Sequence, residues 1–212
     1  LGAGTAGDEV AVGIQGLRVP ALDALIGPRA DAGHDQQVDP AGEGPGMAIE
    51  ELQRALHAIR IGLRAEGVRE WNYTTNLHQS GGMPERELLA AAQLACDQAV
   101  WDRCINTSER TRAALDFNQR FPTPYREAVL RRSQDIGIDP AYVYGLIRQE
   151  SRFITSARSH VGASGLMQIM PATGQWTARK IGLDGFQPQQ VNERDTNITL
   201  GTAYLKLALD DF

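Results

Sequence analysis

Cysteine, histidine and long apolar runs are all scarce in this chain. Of its 212 residues, two are cysteine and four are histidine. His34, His57, His78 and His160 are far apart and none has the spacing of a metal site, so no metal and no cofactor is expected. No run is long enough to span a membrane. Cys96 and Cys104 are eight residues apart. On one continuous helix that separation is about 12 Å, beyond the reach of a disulfide. The spacing favours two separate buried thiols unless a turn intervenes near Val100 to Asp102, although an oxidising compartment would permit the bond. Net charge is only −5, with nothing that points to nucleic acid. The charge is unevenly divided, because residues 1–119 carry 10 basic and 17 acidic side chains whereas 120–212 carry 11 and 9. At 42% hydrophobic and 22% charged, the rest of the composition is that of an ordinary soluble globular protein of one or two domains.

Three stretches follow from the patterning. Residues 1–46 hold ten of the 22 glycines and show neither a helical nor an alternating period, so they are left unassigned and expected to be irregular. No basic stretch or cleavage site precedes Leu1, and any signal peptide lies outside this sequence. Residues 47–119 read as helical. Leu52, Leu56, Ile59 and Leu63 trace one face, Gly67 interrupts, Val68 to Leu77 continues, and Pro84 opens a helix with Leu88, Ala92, Ala95 and Ala99 on one side. Short antiparallel helix pairs are the expected packing, with a linker over Trp101 to Gln119. Residues 120–212 are helical too, with Thr123 capping a helix that ends at Gly137, Asp139 and Pro140 starting the next, Pro171 to Ile181 closed by Gly182, and Asp195 capping a last helix. Only Gly162 to Ile169 leaves room for two or three short strands.

Glu150 is the acid that stands out. In YVYGLIRQESRF, Val143, Leu146, Ile147 and Glu150 recur at i, i+3, i+4 and i+7, which places the carboxyl on the apolar stripe and predicts an inward position. Partial burial and the nearby helix C-terminus both favour the protonated form, as a general acid requires. An ordinary helix-end glutamate paired with Arg148 or Arg152 is the competing reading. Ten residues on, HVGASGLMQIMPAT combines glycines, small residues and a short apolar run before Pro171, the mark of a tight turn or hairpin. Nothing acidic follows Glu150 until Asp184. Most glycoside hydrolases use two carboxylates, and a clear second one is missing here.

Together RQESRF, ARSHVGASGLMQIMPAT and TNITLGTAYLKLALDDF resemble the catalytic core of the soluble lytic murein transglycosylases, over about Met47 to Phe212. The resemblance implies a mostly α fold, with an antiparallel superhelical segment over 47–119 and an incomplete lysozyme-like domain with a small β-hairpin region over 120–212. It implies cleavage of the MurNAc-GlcNAc β-1,4 bond with 1,6-anhydro-N-acetylmuramic acid as product, by one glutamate, Glu150, acting as acid and then as base. A hydrolytic muramidase or a non-catalytic peptidoglycan-binding scaffold are the alternatives. Substrate contacts carry over to Ser159, Gln168 and Met170. From the residues alone, Ser159 is a turn residue, and Met167 and Met170 are core at i, i+3. The implied partner is the peptidoglycan glycan strand and the implied location the periplasm of a Gram-negative bacterium. The family pattern continues beyond Phe212 into an alanine-tyrosine-asparagine-alanine-glycine-proline signature, so an incomplete groove, an exposed apolar patch on the last helix and weak activity are expected of these 212 residues. Trp71, Trp101 and Trp176 are possible sugar platforms, with Trp176 read as core.

Overall fold

The computed structural model describes residues 45–77 and 82–210. The reading of residues 1–44 therefore lies outside the described residues, as do His34 and His78. Helix α1 (Pro45–Arg60) and helix α2 (Arg64–Leu77) form the first antiparallel pair. The chain breaks between them at Gly62, where φ is 94°, and not at Gly67. Gly67 lies within α2 because α1 passes directly over it. A Cβ there would come within 2.4 Å of the Ala55 carbonyl oxygen and 2.7 Å of Ile59 Cγ1, a contact only glycine tolerates.

Helix α3 (Glu85–Asp97) starts after Pro84 as its sequence predicts. It closes a core with Leu52, Leu56, Trp71, Leu88 and Leu94. The chain then leaves the helix, with Ala99 at φ 56°, and helix α4 (Trp101–Ser108) packs back along α3. That reversal brings Cys96 and Cys104 into a disulfide with Cα atoms 5.0 Å apart, correcting the expectation of two separate thiols. The expectation assumed a continuous helix, and the turn removes the premise. A bond closing so short a loop restricts the unfolded chain by about 2–3 kcal/mol. The double exchange Cys96→Ser, Cys104→Ser should accordingly lower the melting temperature by several degrees. A calorimetric scan showing no change would mean that the hairpin holds itself without the bond.

Residues 101–119, expected as linker, are themselves folded. Besides α4 they contain most of helix α5 (Phe117–Arg120), whose N-cap Asp116 accepts hydrogen bonds from the backbone N–H of Asn118 and Gln119. Helix α4 belongs to both halves of the protein, with Cys104 buried in the first core and Ile105 in the second. Tryptophan 71 fastens it from below, its indole N–H donating to Thr107 Oγ1 at 2.9 Å.

Helix α6 (Arg126–Ile136) begins two residues later than Pro124 because left-handed Tyr125 occupies the N-cap; Gly137, also left-handed, ends it as expected. Helix α7 (Pro140–Ser151) carries Glu150 and starts as predicted, with Asp139 accepting from the Ala141 N–H at 2.8 Å and Pro140 in the first turn. After the segment 152–170 come helix α8 (Pro171–Lys180), a 3₁₀ turn (Pro188–Asn192) and helix α9 (Arg194–Asp210). The expected strands reduce to two antiparallel bridges, Arg158 with Ser164 and Ser164 with Ile169. Val143, Ile147, Leu166, Ile169, Ile198 and Leu200 are the centre of the second core. In α9 the buried residues are Asn197, Ile198 and Leu200 to Ala203, while Tyr204 and Leu209 are exposed. Among the described residues no helix is long and apolar enough to cross a membrane.

Candidate active site

The stripe of α7 that enters the core is Val143, Ile147 and Ser151, at i, i+4 and i+8. Leu146 is half-buried and Glu150 is exposed, so the inward position expected from i, i+3, i+7 spacing is corrected. Both patterns fit a helix; they differ by the shoulder on which Glu150 stands. The competing reading, an ion pair with a neighbouring arginine, is not realised either. Arg148 and Arg152 both turn to Glu109 at the end of α4, Arg148 through Nη2 to Oε1 and Arg152 through Nη1 to Oε2 at 2.6 Å. Arg148 further donates from Nε to the Arg120 carbonyl at 2.8 Å and lies over the Phe121 ring, 4.7 Å from its centre. Two residues along a helix is about 200°, so Arg148 and Glu150 leave α7 on opposite sides, while Arg152 follows the end of the helix.

Burial alone would raise the Glu109 carboxyl, but hydrogen bonds from Arg152 and Arg148 outweigh it and hold it below the usual carboxylate range. A depressed folded-state value means that the clamp is present above the ordinary glutamate pKa. It is lost only as the pH falls through the lower folded-state value. Just beyond the clamp, Arg152 and Phe153 both have positive φ, 48° and 65°, a conformation that costs of order 1 kcal/mol or more per non-glycine residue. Burial of the Phe153 ring and the Arg152 ion pair hold this turn. It directs the chain from Glu150 into the 154–170 segment.

That segment carries Ser159, Gln168 and Met170 and is held by their own polar groups. Ser159 exchanges backbone contacts with Ala163, its N–H donating to the Ala163 carbonyl at 2.9 Å. Its hydroxyl oxygen accepts from the Ala163 N–H at 2.9 Å, leaving the hydroxyl proton available. Gln168 has φ 45°, and its carboxamide N–H₂ donates to the carbonyls of Ala157 at 3.1 Å and Gly165 at 2.8 Å. Both donors thus bracket the loop, and only Oε1 is free to accept. Met170 is 39% exposed, whereas Met167 is core at 6%. No helix joins them, so they diverge.

Sequence reasoning missed Asn197. It lies in α9, 1% exposed. Its Oδ1 accepts from the Met167 N–H at 2.8 Å, and its Nδ2 donates to the carbonyls of Ser164 at 2.9 Å and Val191 at 2.8 Å. Gly165, at φ 79°, lies against it, and a Cβ there would come within 2.3 Å of Asn197 Nδ2. An asparagine beside Ile198 in a helix is out of character for an apolar face, and this was the available signal.

A cavity of about 690 Å³, lined by residues that include Phe121, Pro122, Tyr144, Gly145, Arg148 and Phe153, lies on the arginine side of α7 and includes none of the four candidates. Chemistry weighs more than size here, because that cavity lacks an available acid. Of its two arginines, Arg126 and Arg148, the second is committed to Glu109, and its acid, Asp139, caps α7. Trp176, read as core, is 40% exposed and meets Tyr204 edge-on, whereas Trp71 is buried.

Residues 127–212 match the family model described as the transglycosylase SLT domain. The soluble lytic murein transglycosylase of Salmonella typhimurium is 33% identical over 163 residues, 76% of this chain and 24% of that protein. Its namesake from Escherichia coli K12 is 32% identical over 179 residues, covering 84% and 26%. Among solved structures, an inactive mutant of the lytic transglycosylase Slt from Pseudomonas aeruginosa superposes with a TM-score of 0.68 at 31% identity, over 79% of this chain and 27% of that one. The chain thus spans about a quarter of the length of the relatives it matches. The mostly helical, lysozyme-like fold class read from the sequence is the one these relatives share. Residues 127–212 are a transglycosylase SLT domain, and the relatives that the chain resembles over most of its length are soluble lytic murein transglycosylases.

Proposed function

We propose that this chain cleaves the β-1,4 bond between N-acetylmuramic acid and N-acetylglucosamine in peptidoglycan, leaving a 1,6-anhydro muramyl end, with Glu150 as the only acid and base. The observation that carries this reading is the supply of carboxylates around Glu150. No acid follows it until Asp184, and Glu109, the acid drawn to the end of α7, has both oxygens taken by Arg148 and Arg152. Glu109 is an ion-pair partner and not a second base. Further support comes from the Pseudomonas relative, whose inactive form exchanges a glutamate for glutamine.

In this reading protonated Glu150 gives its proton to the glycosidic oxygen as the C1–O bond breaks. The acetamido oxygen of the muramyl residue stabilises C1. Glu150, now a carboxylate, takes the proton of the C6 hydroxyl, whose oxygen attacks C1 and closes the anhydro ring without consuming water. The Ser159 hydroxyl donates to the muramyl substituents, Gln168 accepts through Oε1, and Met170 offers an apolar wall. Residues 47–119 form the helical segment that seats the strand, and 120–212 the catalytic domain. The periplasm of a Gram-negative bacterium is the proposed location, in keeping with the sources of the relatives and with a Cys96–Cys104 bond that needs an oxidising compartment.

A hydrolytic muramidase is the second reading, favoured by the exposure of Glu150, which gives water access to its carboxyl. Mass spectrometry of the muropeptides released from purified sacculi by the natural protein separates the readings. Anhydro ends are expected. Reducing ends, heavier by one water, would transfer the assignment to the muramidase, and no release at all would leave a binding scaffold.

A further inference from the structure

Glu109, the acid that takes both arginines beside Glu150, lies outside residues 127–212, the stretch that matches the SLT domain. It is the C-cap residue of α4, its N–H donating to the Ile105 carbonyl at 2.9 Å. This end of α4 is tied to α2 on both sides of the acid. Thr107 accepts from the Trp71 indole at 2.9 Å, and Arg110 Nη2 donates to the Thr75 carbonyl at 2.9 Å. The Cys96–Cys104 bond ties the same helix to α3. Glu109 therefore stands on a braced support, and its carboxylate reaches from there to the end of α7.

What it holds there is the exit from α7. Arg148 has further ties, to the Arg120 carbonyl and the Phe121 ring, whereas Glu109 is the one ion-pair partner of Arg152 among the described residues. Arg152 is also the left-handed C-cap of α7, its N–H donating to the Arg148 carbonyl at 3.2 Å. Phe153 repeats the left-handed conformation, and the Ile154 N–H closes the turn on the Ser151 carbonyl at 3.1 Å. Two consecutive non-glycine residues keep such angles only where surrounding contacts impose them. Here those contacts are the Arg152 ion pair and the buried Phe153 ring. The turn follows Glu150 by two residues and sets where the 154–170 segment lies relative to its carboxyl. A displacement of about 1 Å between a reacting group and its substrate can slow a reaction by about 100-fold. We propose that Glu109 is a positioning residue, which fixes the Arg152–Phe153 turn from the first half of the chain and so sets the Glu150 carboxyl against the loop carrying Ser159 and Gln168. This rests on the proposed cleavage of peptidoglycan by Glu150, and it makes the helical segment part of the support of the active centre.

The test compares Glu109→Gln, Glu109→Asp, Arg152→Gln and the double variant Glu109→Gln, Arg152→Gln with the unaltered natural protein on purified glycan strands. Glu109→Gln should lower kcat about tenfold, leave KM within about threefold and melt within about 5 °C of the parent, because partly exposed ion pairs contribute little to stability. Glu109→Asp keeps the charge and should recover part of the loss. Arg152→Gln should lower kcat to a similar degree, and the double variant should stay within about twofold of the slower single variant, since both changes cut one link. Should Glu109→Gln fail to fold, Arg152→Gln, which leaves α4 untouched, carries the test. Losses that multiply in the double variant, or a parental kcat in Arg152→Gln, would overturn the assignment. Hydrogen exchange of the Arg152 and Ile154 amides reads the turn without cleavage and should be at least about tenfold faster in Glu109→Gln. If the unaltered protein releases nothing, the proposed cleavage fails, and these exchange rates alone decide whether Glu109 holds the turn. Parental kcat and parental exchange in Glu109→Gln would remove the positioning role and leave the cleavage standing.

Discussion

Exchanging Glu150 for glutamine is expected to lower turnover on peptidoglycan at least about 100-fold while the protein remains folded. The substitution preserves size and removes the transferable proton, and in a one-acid mechanism nothing else donates to the leaving oxygen or accepts from the C6 hydroxyl. Folding should be indifferent because the side chain is exposed, and exchanges at such positions usually change stability by less than about 0.5 kcal/mol. The arginines that flank it provide no substitute, both being held by Glu109. The measurement is the initial rate of anhydro-muropeptide release by the natural protein, beside a thermal melt. A variant that melts like the parent and retains more than a tenth of its rate would end the single-glutamate mechanism, and attention would pass to Asp184 or Glu193 as a second acid.

What the sequence disclosed, and what it hid, divides by the range of the interaction. Asp139, Pro140 and Gly137 were legible because caps depend on residues two or three positions away. The same local logic misjudged Gly67, since the neighbour that requires a glycine there, Ala55, belongs to another helix. Cys96 and Cys104 were misjudged because an alanine, Ala99, takes the left-handed turn, where composition gives no warning. For Glu150 the period was right and the phase was not. A helix whose buried stripe runs Val143–Ile147–Ser151 reads almost the same as one centred on Leu146, and only packing against the second core decides between them. Ser159, Gln168 and Met170 were identified through the motif, not through periodicity. Their local contacts account for the turn they build, while their contact with sugar stays a proposal. The double anchoring of Arg148 and Arg152 to Glu109, 39 and 43 residues away, left no trace in the pattern.

Asn197 is the clearest case of such hidden dependence, and replacing it by alanine is expected to cost roughly 3–5 kcal/mol, because three buried backbone groups lose their partner at once. These are the Met167 N–H and the carbonyls of Ser164 and Val191. No water reaches a side chain 1% exposed without opening the core. Since the bracket joins α9, the 3₁₀ turn and the loop between Ser159 and Met170, the loss should be felt in activity as well as in stability. A fall in melting temperature of more than about 10 °C follows for a domain of this size. Asn197→Asp sharpens the test. Its shape is unchanged and one oxygen still accepts from Met167, but the other faces two carbonyls, and a buried carboxylate beside such partners is held above its ordinary pKa. The folded state then binds the proton more tightly than the unfolded chain, so the penalty relative to the parent should grow as pH rises above about 4. Urea unfolding at pH 4.5 and 7.5 measures this directly. If Asn197→Ala melts within about 3 °C of the parent, or Asn197→Asp is equally costly at both values, the loop is held by its own turn contacts, and the bracket from α9 does not set the geometry of the candidate site.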